Sequence, residues 1–76
     1  MISDRVRAIW CRELKRDDIA LDDDFFALGG QSVVMVNIQG AYLTELGAEV
    51  PMDQLFLHPT VASISAYLES QGAVTR

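Results

Sequence analysis

One cysteine, one histidine and no lysine or arginine between Arg16 and Arg76 are the scarcities that constrain this 76-residue sequence. Cys11 alone cannot form an internal disulfide, so the chain is no cystine-stapled secreted scaffold and suits a reducing compartment. Neither Cys11 nor His58 sits in a cluster with metal-ligand spacing, and no metal site is expected. No apolar run nears the roughly 20 residues that cross a bilayer, and the polar start Met1-Ile2-Ser3-Asp4-Arg5 lacks a signal-peptide core. The expectation is a soluble, cytoplasmic protein that does not engage a membrane. The lack of cations also argues against nucleic acid, which is bound by displacing counterions from phosphate with basic side chains.

A chain this short buries only roughly 60% of the surface its unfolded form exposes, which leaves room for one domain over residues 1–76 but not for a deep catalytic cleft. Half of the residues are hydrophobic and 22% are charged, enough apolar content to fold. Eleven acids against six bases give a net charge of −5. All the bases except Arg76 precede position 17, and Asp17, Asp18, Asp22, Asp23 and Asp24 crowd the stretch that follows. Such a surface steers basic protein partners, and its aspartates serve equally to solvate a loop.

The apolar periodicity predicts helices and no strands. Val6, Ile9, Trp10 and Leu14 recur at helical spacing, giving a first helix over 3–15 with Ser3 as N-cap and Trp10 anchoring the core. Residues 17–31 lack a period and form a long loop, pinned by Ile19, Leu21, Phe25, Phe26 and Leu28, of a length that is usually functional or holds a short helical turn. A second helix over 32–46 carries Val34, Ile38, Ala41 and Tyr42 on one stripe, widened by Met35, Leu43 and Leu46, and Gly47 ends it. Val33 and Val36 fall off that stripe as an exposed pair. Met52–Leu57 reads as a short helix stopped by His58-Pro59, and Thr60 caps a last helix running to about Leu68 or Ser70. Residues 71–76 read as a flexible tail. The fold class is therefore all-α: a bundle of three longer helices and one short one.

Ser32, in Gly29-Gly30-Gln31-Ser32, is the residue that needs explaining. As a nucleophile it would need an adjacent base and an orienting group, and the only histidine lies in a helix connection. The pattern G-x-S-x-G fails because Val34 takes the place of the second glycine. Gly29-Gly30 has no following G-K-[ST], and the aspartate run lacks the glycine and closing glutamate of a calcium loop. A serine modified by another enzyme requires less: exposure, small neighbours, and a helix N-terminus whose free amides tolerate an anion.

FFALGGQS followed by an apolar helix resembles the core motif of thiolation domains, or peptidyl carrier proteins, of nonribosomal peptide synthesis, within the phosphopantetheine-binding acyl carrier superfamily. The segment VPMDQLFLHPTV is similar to a second stretch of that family, V-P-[apolar]-x-x-[LI]-F-x-x-P-T-[VI], and the likeness covers nearly the whole chain. The resemblance implies a non-catalytic carrier of four-helix, acyl-carrier-like type. Ser32 would receive 4′-phosphopantetheine from coenzyme A, with Gly29, Gly30 and Gln31 as its motif neighbours. The arm would hold aminoacyl, peptidyl or related acyl groups as thioesters. Val33, Val36 and Met52 would face partners: a phosphopantetheinyl transferase, an adenylation or other acyl-activating enzyme, and condensation, thioesterase or tailoring enzymes. Phe25, Phe26, Leu28 and Phe56 would be structural, and the carrier a monomer.

The sequence departs from the family at Gln31, where histidine or aspartate is common, at Val33 in place of leucine, at Asn37 and Gln39 where an arginine is frequent nearby, and at Gly40. Two alternatives stay open. A polyketide or fatty-acyl carrier shares fold and modification but more often has aspartate before the serine and lacks the double glycine. A helical interaction module without a prosthetic group would use Ser32 only as an N-cap.

Overall fold

Each apolar stripe must be covered by another element, and four helices achieve this in the computed structural model, which describes residues 2–72: α1 (Ile2–Leu14), α2 (Ser32–Leu46), α3 (Met52–Leu57) and α4 (Val61–Ser70). α1 packs against both α2 and α4, and α3 against α2. No helix among the described residues is long and apolar enough to cross a membrane.

α1 buries Ile2, Val6, Ile9 and Trp10. Because Ile2 itself enters the core, the helix includes residue 2 and Ser3 lies within its first turn, not at the N-cap position expected of it. The helix ends at Leu14, one residue early, through a left-handed Lys15 (φ 57°), and the Arg16 amide donates back to the Cys11 carbonyl at 3.0 Å. That closure usually employs glycine at the left-handed position. α2 keeps its expected bounds and buries Met35, Ile38, Ala41, Tyr42 and Leu46. Leu43, expected on the buried stripe, is instead 51% exposed, since one residue past Tyr42 the helix has turned about 100° away from the core. Gly47 (φ 65°) closes α2, its amide donating to Leu43 and that of Ala48 to Tyr42. Thr60 and Ser63 form a reciprocal capping box at the start of α4. Gln71 and Gly72 close that helix with backbone bonds; residues 73–76, the rest of the expected tail, lie outside the described residues.

At the centre of the core the Trp10 indole N–H donates to the Tyr42 hydroxyl at 2.8 Å. Burial pushes the Tyr42 hydroxyl well above its ordinary pKa, with the Trp10 hydrogen bond opposing the shift, so the phenol is neutral at any working pH. The indole N–H thus has its acceptor within the protein, which removes the cost of burying a lone donor.

The long first loop is sewn to the bundle by backbone bonds. Phe25 donates to the Pro59 carbonyl at 2.7 Å, and Ala62 donates to the Leu21 carbonyl at 2.9 Å. Arg7 of α1 reaches the carbonyls of Ile19 (2.6 Å) and Asp17 (3.1 Å). Ile19 and Phe25 are fully buried and Leu28 packs on the core, but Leu21 and Phe26 are exposed: Leu21 contributes its carbonyl instead of its side chain. The other arginines of α1, and Arg16 just beyond it, also bond inward or to neighbouring acids. Arg5 donates to the Glu45 carbonyl, Arg12 makes a two-pronged contact with the Glu45 carboxylate, and Arg16 does the same with Asp18.

Two results are expected. Tyr42→Phe strands the buried indole N–H and costs about 1–3 kcal/mol in denaturant unfolding, whereas Trp10→Ala costs about 3–5 kcal/mol; equal, negligible effects would refute this core. Hydrogen bonds from Arg12 and Arg16 hold the carboxyls of Glu45 and Asp18 below the usual range. A depressed folded-state pKa stabilises above the unfolded value and the contribution disappears as pH falls through the folded one. The urea midpoint should therefore be level above about pH 6 and decline below about pH 4, less steeply in the Arg12→Gln, Arg16→Gln double variant.

Candidate functional site

The loop before α2 is shaped from beneath. Asp24 accepts the Ala27 amide on its carboxylate (2.9 Å) and the Leu28 amide on its carbonyl (3.0 Å), starting one helical turn. Asp23 accepts the Ala20 amide in the same manner at 2.8 Å, so these two aspartates build turns and do more than solvate. The turn closes where Gly29 donates to the Phe26 carbonyl and Gly30 to the Phe25 carbonyl. Gly29 takes φ +89°, a left-handed conformation that side chains resist. Gly30 lies directly on the Phe25 ring, where any Cβ would overlap the aromatic carbons. Phe25 in turn is held edge-on to Trp10 (centroids 5.4 Å, 78°) and to Phe26 (5.3 Å, 88°). The backbone of Gly30 is therefore pressed onto a ring whose position the core dictates.

Gln31 follows in extended geometry (φ −125°, ψ 166°) as the N-cap of α2, with no side-chain capping bond. The first backbone bond of the helix runs from the Met35 amide to the Gln31 carbonyl at 2.9 Å. The amides of Ser32, Val33 and Val34 consequently have no acceptor within the helix. Ser32 is the first helical residue and is exposed. Being past the cap, it does not perform the capping role on which the interaction-module alternative rested. His58, the sole histidine, stacks on Tyr67 of α4 (5.2 Å, 28°) and shares no hydrogen bond with Ser32.

Of the sequence-predicted site residues, Gly29, Gln31, Ser32, Val33 and Val36 are exposed and Gly30 is half-buried. Val33 is 70% and Val36 53% exposed. Met52 is half-buried against the core and does not stand out as they do. Phe26 and Phe56, expected to be structural, are 44% and 48% exposed and lie face to face (5.8 Å, 3°), joining the loop to α3 with an outward aromatic pair. Sequence pattern missed this pair because neither phenylalanine lies on a periodic stripe. It also missed the Gln39 amide, which donates to the Val50 carbonyl at 2.7 Å and fixes the α2–α3 connection.

The family model described as "Phosphopantetheine attachment site" matches residues 4–68. Surfactin synthase subunit 3 of Bacillus subtilis is 40% identical over 72 residues, which are 95% of this chain and 6% of that protein. The chain thus spans only a small part of the curated relatives it matches. Among solved structures, the type-II acyl carrier protein BlmI of Streptomyces verticillus, involved in bleomycin biosynthesis, is similar with TM-score 0.86 and 29% identity, covering 91% of this chain and 83% of that one. A peptidyl carrier protein solved with the phosphopantetheine transferase Sfp and coenzyme A gives TM-score 0.88 and 26% identity over 92% of this chain and 91% of that one.

If the Phe25 ring dictates the loop, Gly30→Ala should destabilise by about 1–3 kcal/mol, the range for overpacking a filled site. Phe25→Leu, which makes room for the added methyl, should recover part of that loss in the double variant. Additive losses in the double-mutant cycle would show that the two residues do not press on each other.

Proposed function

The chain belongs to the phosphopantetheine attachment-site family, a carrier-domain family, and on that premise we propose that Ser32 is the residue that accepts 4′-phosphopantetheine from coenzyme A. The observation that carries this reading is the placement of an exposed hydroxyl at the first position of α2, beside three amides without helical acceptors. Those N–H groups and the positive end of the helix dipole suit the negative charge of a phosphodiester. Gly29 and Gly30 leave the approach to Ser32 free of side chains, and the seat on Phe25 holds it in one shape. The residues present therefore fit the group.

When bound, the arm supplies a terminal thiol that holds an acyl group as a thioester. The protein's own part is to present the hydroxyl oxygen, which forms the bond to phosphorus as the diphosphate P–O bond of coenzyme A breaks and adenosine 3′,5′-bisphosphate leaves, while a base of the transferring enzyme takes the proton. On this reading the domain is non-catalytic, residues 1–76 form a single thiolation domain, and aminoacyl or peptidyl intermediates of nonribosomal peptide synthesis are its cargo. Its partners are a phosphopantetheinyl transferase, an adenylation or other acyl-activating enzyme, and condensation, thioesterase or tailoring enzymes. It acts as a cytoplasmic monomer that binds neither membrane nor nucleic acid. Gly29-Gly30 and the Phe25-Phe26 pair favour peptidyl over polyketide or fatty-acyl cargo.

The test is intact mass after incubation with coenzyme A and a promiscuous phosphopantetheinyl transferase. Wild type should gain one phosphopantetheine and Ser32→Ala none, while the variant keeps its helical circular dichroism. Loading of the alanine variant would overturn the site. Val33→Asp and Val36→Asp should leave stability within about 0.5 kcal/mol yet slow loading tenfold or more; a large loss of stability would place these valines in the core.

A further inference from the structure

Three of the four helices begin with a side chain that serves their positive end. Asp4 lies in the first turn of α1 and Asp53 in that of α3, while Thr60 and Ser63 cap α4. Among the described residues, α2 alone has neither an acid in its first turn nor a side-chain cap. The aspartates that precede it are engaged elsewhere: Asp23 accepts the Ala20 amide and Asp24 the Ala27 amide. At its other end α2 is closed, with the amides of Gly47 and Ala48 donating to the Leu43 and Tyr42 carbonyls. Gly40 in its middle is a poor helix former, which makes the helix more dependent on its ends.

The gap falls at Gln31. Asparagine is among the strongest N-caps, and glutamine carries the same carboxamide on one more methylene. Gln31 sits at the N-cap in the extended geometry that capping residues adopt (φ −125°, ψ 166°), is exposed, and makes no capping bond. The backbone is thus set for a cap that the side chain does not supply. We propose that Gln31 is a positioning residue for the prosthetic group: by leaving the amides of Ser32, Val33 and Val34 unclaimed, it keeps them for the phosphodiester carried on Ser32, so that loading completes the N-terminus of α2 and stabilises the fold. The negative charge arrives at the one helix start that has none of its own and no cap. A side chain that capped from position 31 would compete for the same donors.

This inference rests on the Ser32 reading, and its test separates the two. Wild type and Gln31→Asn are each compared unloaded and after complete loading from coenzyme A by a promiscuous phosphopantetheinyl transferase, with intact mass confirming each state. Loading should raise the wild-type melting temperature by about 2–6 °C, the range that a charge at a helix end gives a domain of this size. Unloaded Gln31→Asn should already melt about 4 °C above unloaded wild type, and loading should add less than half of the wild-type increment. Amide hydrogen exchange at Val33 and Val34 should slow at least threefold when wild type is loaded. A wild-type melting temperature that does not rise, equal increments in the two proteins, or unchanged exchange at both valines each overturns the proposal and leaves Ser32 as the attachment point. A wild type that gains no mass overturns the Ser32 reading, and this proposal with it.

Discussion

The contact between the Phe25 ring and the backbone of Gly30 is the constraint on which the rest of the site depends. Phe25 is fully buried and set edge-on against Trp10, whose indole N–H is tied to Tyr42 of α2. One apolar column thus connects α1, the long loop and α2, and its upper end is Gly30, two residues before the serine. Since a side chain at residue 30 would collide with the ring, the loop can lie this low only with glycine there. The next turn delivers Ser32 to the surface at the start of α2. Core packing and the exposure of the hydroxyl are two consequences of the same arrangement.

Around that column, polar groups serve to hold the loop in place. Arg7 takes two carbonyls from its first half, Asp23 and Asp24 take amides from its turns, and the Phe25 and Ala62 amides stitch it to the segment before and within α4. Surface ion pairs such as Arg16–Asp18 add little stability each, but they have a second effect. They engage Arg12 and Arg16 locally, leaving the loop, α2 and α3 with acids as their only charged side chains around exposed valines and phenylalanines. A surface of that type attracts basic partners over long range and offers them apolar contact at short range.

The sequence revealed what depends on local pattern. α2, α3 and α4 fall where periodicity and the residues Gly47 and Thr60 placed them, and Trp10 is the core anchor it was expected to be. Around Ser32 the sequence alone indicated a serine at the start of an apolar helix after two glycines, and the structure has Ser32 exposed at the first position of α2. Features decided by tertiary neighbours were not readable. The left-handed Lys15 ends α1 where no glycine marks a stop, and Ile2 draws Ser3 into the helix because the core accepts the isoleucine. The carbonyl partners of Arg7 and the outward stacking of Phe26 on Phe56 depend on how far apart segments meet. Leu43 shows the limit of a stripe: an apolar residue at a marginal helical angle can fall to either side, and here it faces solvent.

The central proposal is that Ser32, rather than another serine among the described residues, is the point of covalent attachment. Ser3, Ser63, Ser65 and Ser70 lie within α1 or α4, where Ser65 is buried and Ser63 belongs to the capping box. The direct measurement is tandem mass spectrometry of peptides from the enzymatically loaded protein. The account predicts a phosphopantetheine-bearing fragment that contains Ser32 and localises the group to it. A group localised to any other residue would contradict the account.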